Sequence, residues 1–589
     1  MTAAGFALPA VPFAAALIGL LLPFRSRALA ALLGVAGAAG ALALAIGLAV
    51  VVDGPHESST EWVDVGGLAV TLGVRLDQPS ALVAVAVGVV ALAVQVYSIA
   101  YLHDDERYAP YAAQVSLFTA AMLLVVVAGD LIMLLVGWEV MGICSYLLIG
   151  HDRRLPEAPA AAVKAFLVTR VGDVGFLIGI AVLGVAAGSF RIADVLAADL
   201  SPTTVTVACL LLLAGVAGKS AQFPLHTWLP DAMAGPTPIS ALIHAATMVA
   251  AGIYVVARLA PLFLRSGTAL AVLGVMAAVT LLLGALTATA QDDIKRVLAW
   301  STVSQIGYMA GALAVGSTSA ALFHLLTHAA FKALLFLAAG CVIHAVGSNL
   351  MSAMGGLRRD MPVTFWSFAI GLGALAGLPP LAGFWSKEGI LTVARHPEGP
   401  VPAWVGWLVW LAGLAGVAVT AWYATRLLRG VFLGDAARVA HDPPPLMRWP
   451  VVLLAVPSAA LGLAVFAPGF RSALGLDDVH LDGWLLLPIA LLALGAAVGW
   501  RGVAPVPAFA RAFWLDEVQH TLVVRPARAL AAVVRRGDET VVDGAVEGTA
   551  PATQAAARVL ALAHRATLPR AAAAVLAAAL IVAALGAFL

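Results

Sequence analysis

Charged side chains are scarce in this chain of 589 residues, of which only 11% are Asp, Glu, Lys or Arg. Soluble globular proteins carry about 25% charged residues and about 45–50% apolar ones, whereas 62% of this chain is hydrophobic. The low charge excludes a soluble enzyme and a disordered chain. Lys and Arg number 33 against 32 Asp and Glu, so no net field would attract a nucleic acid.

Cysteine is rarer still, with three residues that lie far apart in apolar segments, namely Cys144, Cys209 and Cys341. They form neither a CxxC pair nor an iron–sulfur spacing, and they indicate no disulfide framework. We therefore expect no redox centre on this chain.

Apolar segments long enough to cross a bilayer, which takes about 20 residues, follow one another along the chain. They predict an all-α integral membrane protein with about 15–16 transmembrane helices. The first segment is expected to stay in the protein as a helix, because no basic region precedes it. The predicted spans are 6–23, 28–52, 80–102, 113–128, 130–150, 163–188, 203–222, 238–262, 268–290, 297–315, 319–346, 363–380, 404–433, 449–468, 483–500 and 567–588.

The charges of the loops predict an orientation. Arginines follow the first and fifth spans, whereas the loop at 53–64, after the second span, carries four acidic residues. Because positive loops stay in the cytoplasm, we expect a multi-pass protein of a bacterial inner membrane with its N-terminus outside the cytoplasm. The arginines concerned are Arg25, Arg27, Arg153 and Arg154.

Residues 502–566 form the one long stretch between predicted spans. They mix apolar and charged residues with helical periodicity, which indicates an amphipathic segment on the membrane surface. A cytoplasmic linker is the alternative interpretation. The glycines and the proline of the stretch Gly537–Pro551 are expected to interrupt any helix here.

Lysine is the scarcest charged residue, with five lysines among 28 arginines. Lys219, Lys332 and Lys387 lie in or beside apolar segments, where a charge costs at least about 2.5–3.5 kcal/mol. An arginine cannot release its proton in a protein, whereas a buried lysine can. The three lysines are therefore candidates for carrying protons, and snorkelling or static ion pairs are the alternatives.

Other ionisable residues also fall inside predicted spans. Glu139 is the only carboxylate inside its span and needs a partner or a proton. Asp173 follows Arg170 by three residues, so the two share a helix face, either as part of a site or as a purely structural pair.

Histidines accompany the central lysine. His324, His328 and Lys332 are spaced by four residues and form one stripe along a helix, which could relay protons because histidine titrates near neutral pH. A zinc site is less favoured, since a lysine at the next turn repels a metal and no third ligand is evident. His244 is either a further relay group or a histidine satisfied in the core.

Two spans are predicted to be discontinuous, because glycine and proline cluster beside Lys219 and beside Lys387. Proline removes a backbone donor, and open backbone at membrane depth must be buried or line water. A pair of interrupted spans is typical of a transporter with inverted internal repeats. The predicted regions are N-terminal helices at 1–112, repeats at 113–262 and 263–433, additional helices at 434–501, the amphipathic segment at 502–566 and a last helix at 567–589.

Several longer motifs carry a resemblance to a known family. The chain closely resembles the chain L family, the antiporter-like membrane subunits of proton-pumping NADH-quinone oxidoreductase, respiratory complex I. The resemblance is dense over residues 75–390 and looser elsewhere. The motifs are Gly137-Trp138-Glu139, Lys164-Ala165-Phe166, Thr169-Arg170-Val171-Gly172-Asp173, Gly218-Lys219-Ser220-Ala221-Gln222, Gly235-Pro236-Thr237-Pro238, Asp293-Ile294-Lys295-Arg296, Ser304-Gln305-Ile306-Gly307-Tyr308 and His328-Ala329-Ala330-Phe331-Lys332.

The resemblance implies proton translocation coupled to quinone reduction in other subunits, with no cofactor on this chain itself. It implies that Glu139 and Lys219 are the interacting pair of one half-channel and that Lys387 is the lysine on the exit side. The residues implied to link the two are His244, His324, His328 and Lys332. The implied partners are other membrane-arm subunits, the lipid bilayer, protons and internal water.

Three other functions stay open at this stage. A related subunit could serve in an Mrp-type cation/proton antiporter, a membrane hydrogenase or an inorganic-carbon uptake complex. A scaffold subunit without transport would make the buried lysines dispensable. A membrane-embedded enzyme would need a nucleophile, a metal site or a substrate-binding loop, and the sequence indicates none.

Overall fold

Helices account for most of the described chain, as a bilayer requires, because a helix satisfies its backbone hydrogen bonds within one segment. The computed structural model describes residues 1–434, 440–478, 483–565 and 567–588. The chain divides into two units, Met1–Phe513 and Trp514–Leu589.

The first unit begins with three long helices and a β-hairpin. The two strands are antiparallel and pair from His56 with Leu76 to Val65 with Leu68. Arg258, from a later helix, donates to the Asp77 carboxylate at 2.8 Å and so holds the end of the hairpin against the helices. The elements are α1 (Thr2–Leu21), α2 (Arg27–Val51), β1 (His56–Val65), β2 (Leu68–Leu76) and α3 (Gln78–Tyr101).

Two sets of helices follow, and the same order of elements recurs in both. The first set is α4 (Tyr108–Val127), α5 (Leu131–Ile149), α6 (Glu157–Ala187), α7 (Ile192–Ala197), α8 (Pro202–Lys219), α9 (Trp228–Asp231), α10 (Thr237–Ala245) and α11 (Met248–Arg258). After the short α12 (Ala260–Phe263), the second set is α13 (Gly267–Ala288), α14 (Ile294–Ala314), α15 (Thr318–Val346), α16 (Pro362–Ala376), α17 (Ala382–Arg395) and α18 (Ala403–Phe432).

The two sets share details of their capping. Asp130 accepts from the Ile132 backbone N–H at 2.7 Å at the start of α5, and Asp293 accepts from the Lys295 N–H at 2.7 Å at the start of α14. Such carboxylates satisfy N–H groups that have no partner within the helix. The long third helices of both sets, α6 and α15, end at a glycine in the left-handed region, Gly188 and Gly347.

Each set also contains a helix that stops inside the bundle, as the sequence predicts. In the first set, α8 ends at Lys219 and the chain continues without helix to Trp228. In the second set, α16 ends at Gly377, whose φ is +88°, and α17 begins at Ala382. A further break that the sequence analysis missed separates α10 from α11 directly after His244.

Four more helices complete the first unit, namely α19 (Pro445–Ala460), α20 (Pro468–Leu474), α21 (Leu486–Arg501) and α22 (Pro507–Ala510). Across both units, 14 helices in the described part of the chain are long and apolar enough to cross a membrane. Two of the sixteen predicted spans are not among them. The helix α14 carries many polar side chains, and α16 has only 15 residues before its break.

The second unit contains α23 (Leu515–Gln519), α24 (Arg525–Gly537), α25 (Gly544–His564) and α26 (Leu568–Phe588). Wider π-type turns at His520–Val524 and Asp538–Asp543 join the first three, so the segment is helical from Leu515 to His564. The predicted interruption at Gly537–Pro551 is therefore wrong. Gly537 adopts a helical backbone angle, with a φ of −60°. The π-type turns keep the chain helical where the regular α-helical hydrogen-bond pattern is interrupted.

Candidate functional site

Four ionisable side chains from α5, α6 and α8 lie in a row. The Glu139 carboxylate pairs with the Arg170 guanidinium. Arg170 Nη2 lies 3.3 Å from Asp173 Oδ2, and Lys219 Nζ lies 3.4 Å from the same oxygen. The side chains of Lys219 and Asp173 are 0% and 4% exposed, whereas those of Glu139 and Arg170 are 29% and 28% exposed at the surface of this chain. The row thus runs from that surface into the interior.

Aromatic rings hold the inner end of this row in place. The indole N–H of Trp138 donates to Asp173 Oδ1 at 2.6 Å, and its ring stacks on Phe176 with centroids 4.3 Å apart. The ammonium of Lys219 lies 5.7 Å from the centre of the Trp138 ring. Two adjacent residues of α5 therefore supply Glu139 and the indole that orients Asp173.

Gly142 gives the two cations their space. A Cβ atom at this residue would lie 2.5 Å from Arg170 Nη2 and 2.6 Å from Lys219 Nζ. Any side chain here would therefore displace both groups.

The position of Lys219 follows from the end of α8. Lys219 lies in the last turn of this helix, where the partial negative charge of the helix dipole stabilises a cation. The Trp228 indole donates to the Gly218 carbonyl at 2.9 Å. The break thus exposes carbonyl groups beside a lysine inside the protein.

A second group of polar side chains joins α14, α15 and α17. The ammonium of Lys332 is fully buried and donates to the Ser301 hydroxyl and to the Leu298 carbonyl, the latter at 3.2 Å. No carboxylate pairs with Lys332 within 4.0 Å among the described residues. Neutral oxygens alone thus solvate this lysine.

His324 lies two turns before Lys332 on the same face of α15. Its Nδ1 lies 2.8 Å from the Ser386 hydroxyl and its Nε2 lies 3.2 Å from Gln305 Oε1. The rings of His324 and His328 are 6.2 Å apart between centroids. The stripe predicted from the spacing therefore exists, and Ser386 connects it to α17.

Lys387 follows Ser386 at the second break. Its ammonium donates to the Leu375 carbonyl at 2.6 Å, in the last turn of α16, and lies 5.2 Å from the centre of the Tyr308 ring. Lys387 is only 2% exposed. Both break lysines are thus placed at the carbonyl end of a helix that stops inside the bundle.

His244 lies beside the second group, in the last turn of α10, with its ring 4.7 Å from that of Phe336 in α15 between centroids. It is fully buried, and neither of its ring nitrogens has a hydrogen-bond partner among the described residues. Lys332 is close enough to act on it electrostatically. His328 faces the backbone of Ala245, the residue after His244.

A polar cavity of about 700 Å³ opens at one face of the bundle. Inside it, Lys164 Nζ lies 2.6 Å from Asp231 Oδ2, and His151 lies 2.8 Å from Asp105. The hydrogen bond from Arg154 lowers the pKa of the Asp152 carboxyl. Most of the lining groups are thus ionisable, and the cavity reaches the α6 helix that carries Arg170.

The structure brings Glu139, Arg170, Asp173 and Lys219 into one group. It places His324, His328, Lys332 and Lys387 in another. Sequence reasoning named all eight as well as His244, and it missed the neutral groups between them. The only sequence signal for these neutral groups is that each stands next to an ionisable residue, since Trp138 precedes Glu139 and Ser386 precedes Lys387. Among the described residues, no group of three or more His, Cys, Asp or Glu side chains is arranged to hold a metal ion.

Two family descriptions match the chain. Residues 128–413 match the transmembrane family of NADH:quinone oxidoreductase and Mrp antiporters. Residues 62–112 match the N-terminus of chain 5 of NADH-ubiquinone oxidoreductase, complex I. The matched residues include every predicted site residue.

Individual relatives agree with these matches. NADH-quinone oxidoreductase subunit L of Mycobacterium tuberculosis is 39% identical over an aligned length of 528 residues. The match covers 84% of this chain and 83% of the relative. Chloroplastic NAD(P)H-quinone oxidoreductase subunit 5 of Nephroselmis olivacea is 38% identical over an aligned length of 553 residues, and the match covers 85% of this chain and 84% of the relative.

A solved structure of the Mrp complex from Dietzia sp. contains a chain with a TM-score of 0.76 and 29% identity. The match covers 99% of the present chain and 63% of that longer chain. By sequence identity and coverage, the chain belongs to the NADH-quinone oxidoreductase subunit L family of antiporter-like membrane proteins.

Proposed function

We propose that this chain is the antiporter-like subunit of a proton-pumping NADH-quinone oxidoreductase and moves protons through its two buried polar groups. As a subunit of such a translocase, it would associate with other membrane-arm subunits, and its proton transport would be coupled to quinone reduction in other subunits of the complex. Protons would pass by way of Glu139, Arg170, Asp173 and Lys219, then through the histidines to Lys332, and leave past Lys387.

One observation carries this proposal: Lys332 and Lys387 are buried in the bundle with neutral oxygens as their hydrogen-bond partners among the described residues, and these solvate an ammonium only weakly. Lys332 has a hydroxyl and a carbonyl, and Lys387 has a carbonyl. Burying a charge without a carboxylate partner is costly, so the protonated and neutral forms of such a lysine can be close in free energy. A group of this kind can load and release a proton when a neighbouring charge changes.

The arrangement of the elements supports two repeats of opposite orientation, at 113–262 and 263–433. Each set contributes five crossings, if the interrupted helices count as one each. Because five is odd, the second set starts on the opposite face from the first, which is the arrangement of inverted repeats. The regions 1–112, 434–501, 502–566 and 567–589 then fall outside these two repeats along the chain.

The orientation that fits best places the N-terminus outside the cytoplasm. Arg27 donates to the Ile99 and Leu102 carbonyls, both at 2.8 Å, so this basic loop lies at the face where α3 ends. The cavity that contains Lys164 opens near the same face, because Leu102 lines it. Positive loops favour the cytoplasmic side, and the cavity would then take up protons from the cytoplasm.

An Mrp-type antiporter subunit is the second candidate, since the Dietzia chain has the same fold. The match of residues 62–112 to the complex I chain 5 family and the identity of 39% to subunit L favour the first candidate. Purification of the chain with its native partners would separate the two, because only complex I brings NADH oxidation.

The proposal is tested at Lys332 in vesicles that contain the assembled complex. Lys332→Ala removes the proton carrier, and Lys332→Arg keeps a cation that cannot release its proton. We expect both variants to assemble and to lower NADH-driven proton pumping by about 100-fold, the scale of losing one proton-transfer group.

Assembly, NADH oxidation and pumping are recorded for the same vesicles. Normal pumping in Lys332→Arg would mean that Lys332 is only a static cation. Normal pumping in both variants would favour the scaffold interpretation.

A further inference from the structure

A cleft apart from both polar groups lies where α18 and α21 end at the same face of the bundle. Its volume is about 590 Å³. Two arginines from α18 reach into it, and its other walls are mainly glycine. The lining residues are Arg426, Arg429, Gly430, Leu433, Gly434, Gly499, Trp500 and Gly502.

The two guanidinium groups are held by backbone carbonyls rather than by acids. Arg426 Nη1 donates to the Gln291 carbonyl at 2.7 Å, and Arg429 Nη1 donates to the Trp500 carbonyl at 2.5 Å. A guanidinium has five N–H donors, so most of its donors stay available.

No carboxylate is among the described residues that line the cleft. Asp292 is close enough to act on Arg426 electrostatically, and its oxygens accept from the Ser352 hydroxyl and N–H at 2.6 and 3.2 Å. The described part of the cleft thus has two positive charges and no acidic side chain.

Glycine at residue 502 makes room for Arg429. A Cβ atom there would lie 2.8 Å from Arg429 Nη1, and the φ of +71° is one that other residues adopt rarely. The approach of the guanidinium to the end of α21 therefore depends on a missing side chain. Arg426 is half-buried and Arg429 is exposed at the rim of the cleft, and a backbone carbonyl fixes each of them there.

The surroundings of the cleft are those of a membrane–water boundary. Both α18 and α21 are candidate spans, and the cleft lies at their ends. Trp500 is 58% exposed there, and tryptophan is enriched at the interfaces of a bilayer. Large apolar side chains of α21, including Leu494, are also exposed earlier along the helix. Acyl chains would thus have an apolar surface on the helix that ends at the cleft.

We propose that this cleft binds the phosphate of an anionic phospholipid, with Arg426 and Arg429 as its ligands. Arginine pairs with phosphate through parallel N–H donors, and basic pockets at the ends of membrane helices suit acidic headgroups. The exposed apolar face of α21 favours a lipid over free phosphate. On the orientation proposed above, the lipid belongs to the cytoplasmic leaflet. This lipid site does not depend on proton transport.

The test uses the full chain in detergent after its lipids have been removed. Thermal unfolding is followed while phosphatidylglycerol, phosphatidylcholine or inorganic phosphate is added. The variants are Arg426→Gln, Arg429→Gln and the two together. Arg359→Gln is the matched control, because Arg359 is an exposed arginine in the loop after α15 and does not line the cleft.

We expect phosphatidylglycerol to raise the melting temperature of the wild type and of Arg359→Gln, and phosphatidylcholine to do so much less. Each cleft variant should bind phosphatidylglycerol about fivefold more weakly, and the double variant about 25-fold, from about one factor of five for each basic group. Arg429→Lys keeps a positive charge and should therefore retain part of the binding. This variant still tests the site if Arg426→Gln fails to fold.

Three results would overturn the proposal. Equal effects of the two lipids would show that the headgroup charge does not matter. An equal effect of inorganic phosphate would assign the cleft to a free anion. Unchanged binding in a folded double variant would place the lipid elsewhere.

Discussion

Gly142 offers a test of whether the row from Glu139 to Lys219 works as a unit. In Gly142→Ala, the new Cβ atom would lie 2.5 Å from Arg170 Nη2 and 2.6 Å from Lys219 Nζ. Each distance is 0.8–0.9 Å short of the 3.4 Å at which ordinary contact begins. Both atoms are at the ends of long side chains, so they can retreat while the backbone stays in place.

The expected result is a loss of function without a large loss of stability. Overpacking costs typically 1–3 kcal/mol, and alanine regains up to about 1 kcal/mol over glycine in a helix. The net change in the free energy of unfolding should thus stay below about 2 kcal/mol. A retreat of almost 1 Å would carry both cations beyond 4 Å from Asp173, and a misplacement of that size can cost about 100-fold in rate.

The assay compares NADH-driven pumping with the thermal stability and assembly of the complex. Gly389→Ala is the matched control, because Gly389 lies in α17 two residues after Lys387 and its Cβ would meet nothing within 4 Å. We expect the control to pump normally. If Gly142→Ala assembles and pumps at the wild-type rate, the spacing of the two cations is not what conducts protons.

Two further predictions concern the partners of the buried cations. Asp173→Asn leaves Lys219 without its carboxylate. Because breaking a buried pair costs about 3–5 kcal/mol, we expect proton pumping to fall more than tenfold. The control Asp231→Asn should have a much smaller effect, because the Asp231 side chain is 29% exposed. Normal pumping in Asp173→Asn would make this pair structural. Ser386→Ala removes the hydroxyl that joins His324 to α17 but leaves the contact of His324 with Gln305. It should therefore slow pumping about tenfold, less than the roughly 100-fold of losing a proton-transfer group itself, while melting and assembly stay unchanged. An unaltered rate would exclude Ser386 from the path.

Sequence patterns along a single helix predicted the local structure well. The spacing of His324, His328 and Lys332 places them on one face of α15, and all three are buried there. The three-residue spacing of Arg170 and Asp173 likewise brings them within 3.3 Å of each other. Helix geometry decides such neighbours, so they can be read from the chain before any packing is known.

Glycine and proline were weaker guides to where helices stop. The breaks after Lys219 and at Gly377 were predicted because several breakers cluster there next to lysine. The break after His244 has no such cluster in its sequence, and the segment from Gly537 to Pro551 stays helical despite its breakers. A breaker residue permits an interruption, and the surrounding contacts decide whether one forms.

What the sequence determined by itself is the membrane class, the order of the spans and the identity of the ionisable residues within them, because each depends on composition and local periodicity. Only the tertiary structure decided their partners. Arg170 and Asp173 stand between Glu139 and Lys219, and Lys332 meets a serine 31 residues earlier. These contacts join different helices, so their geometry depends on how the helices pack and where two of them stop.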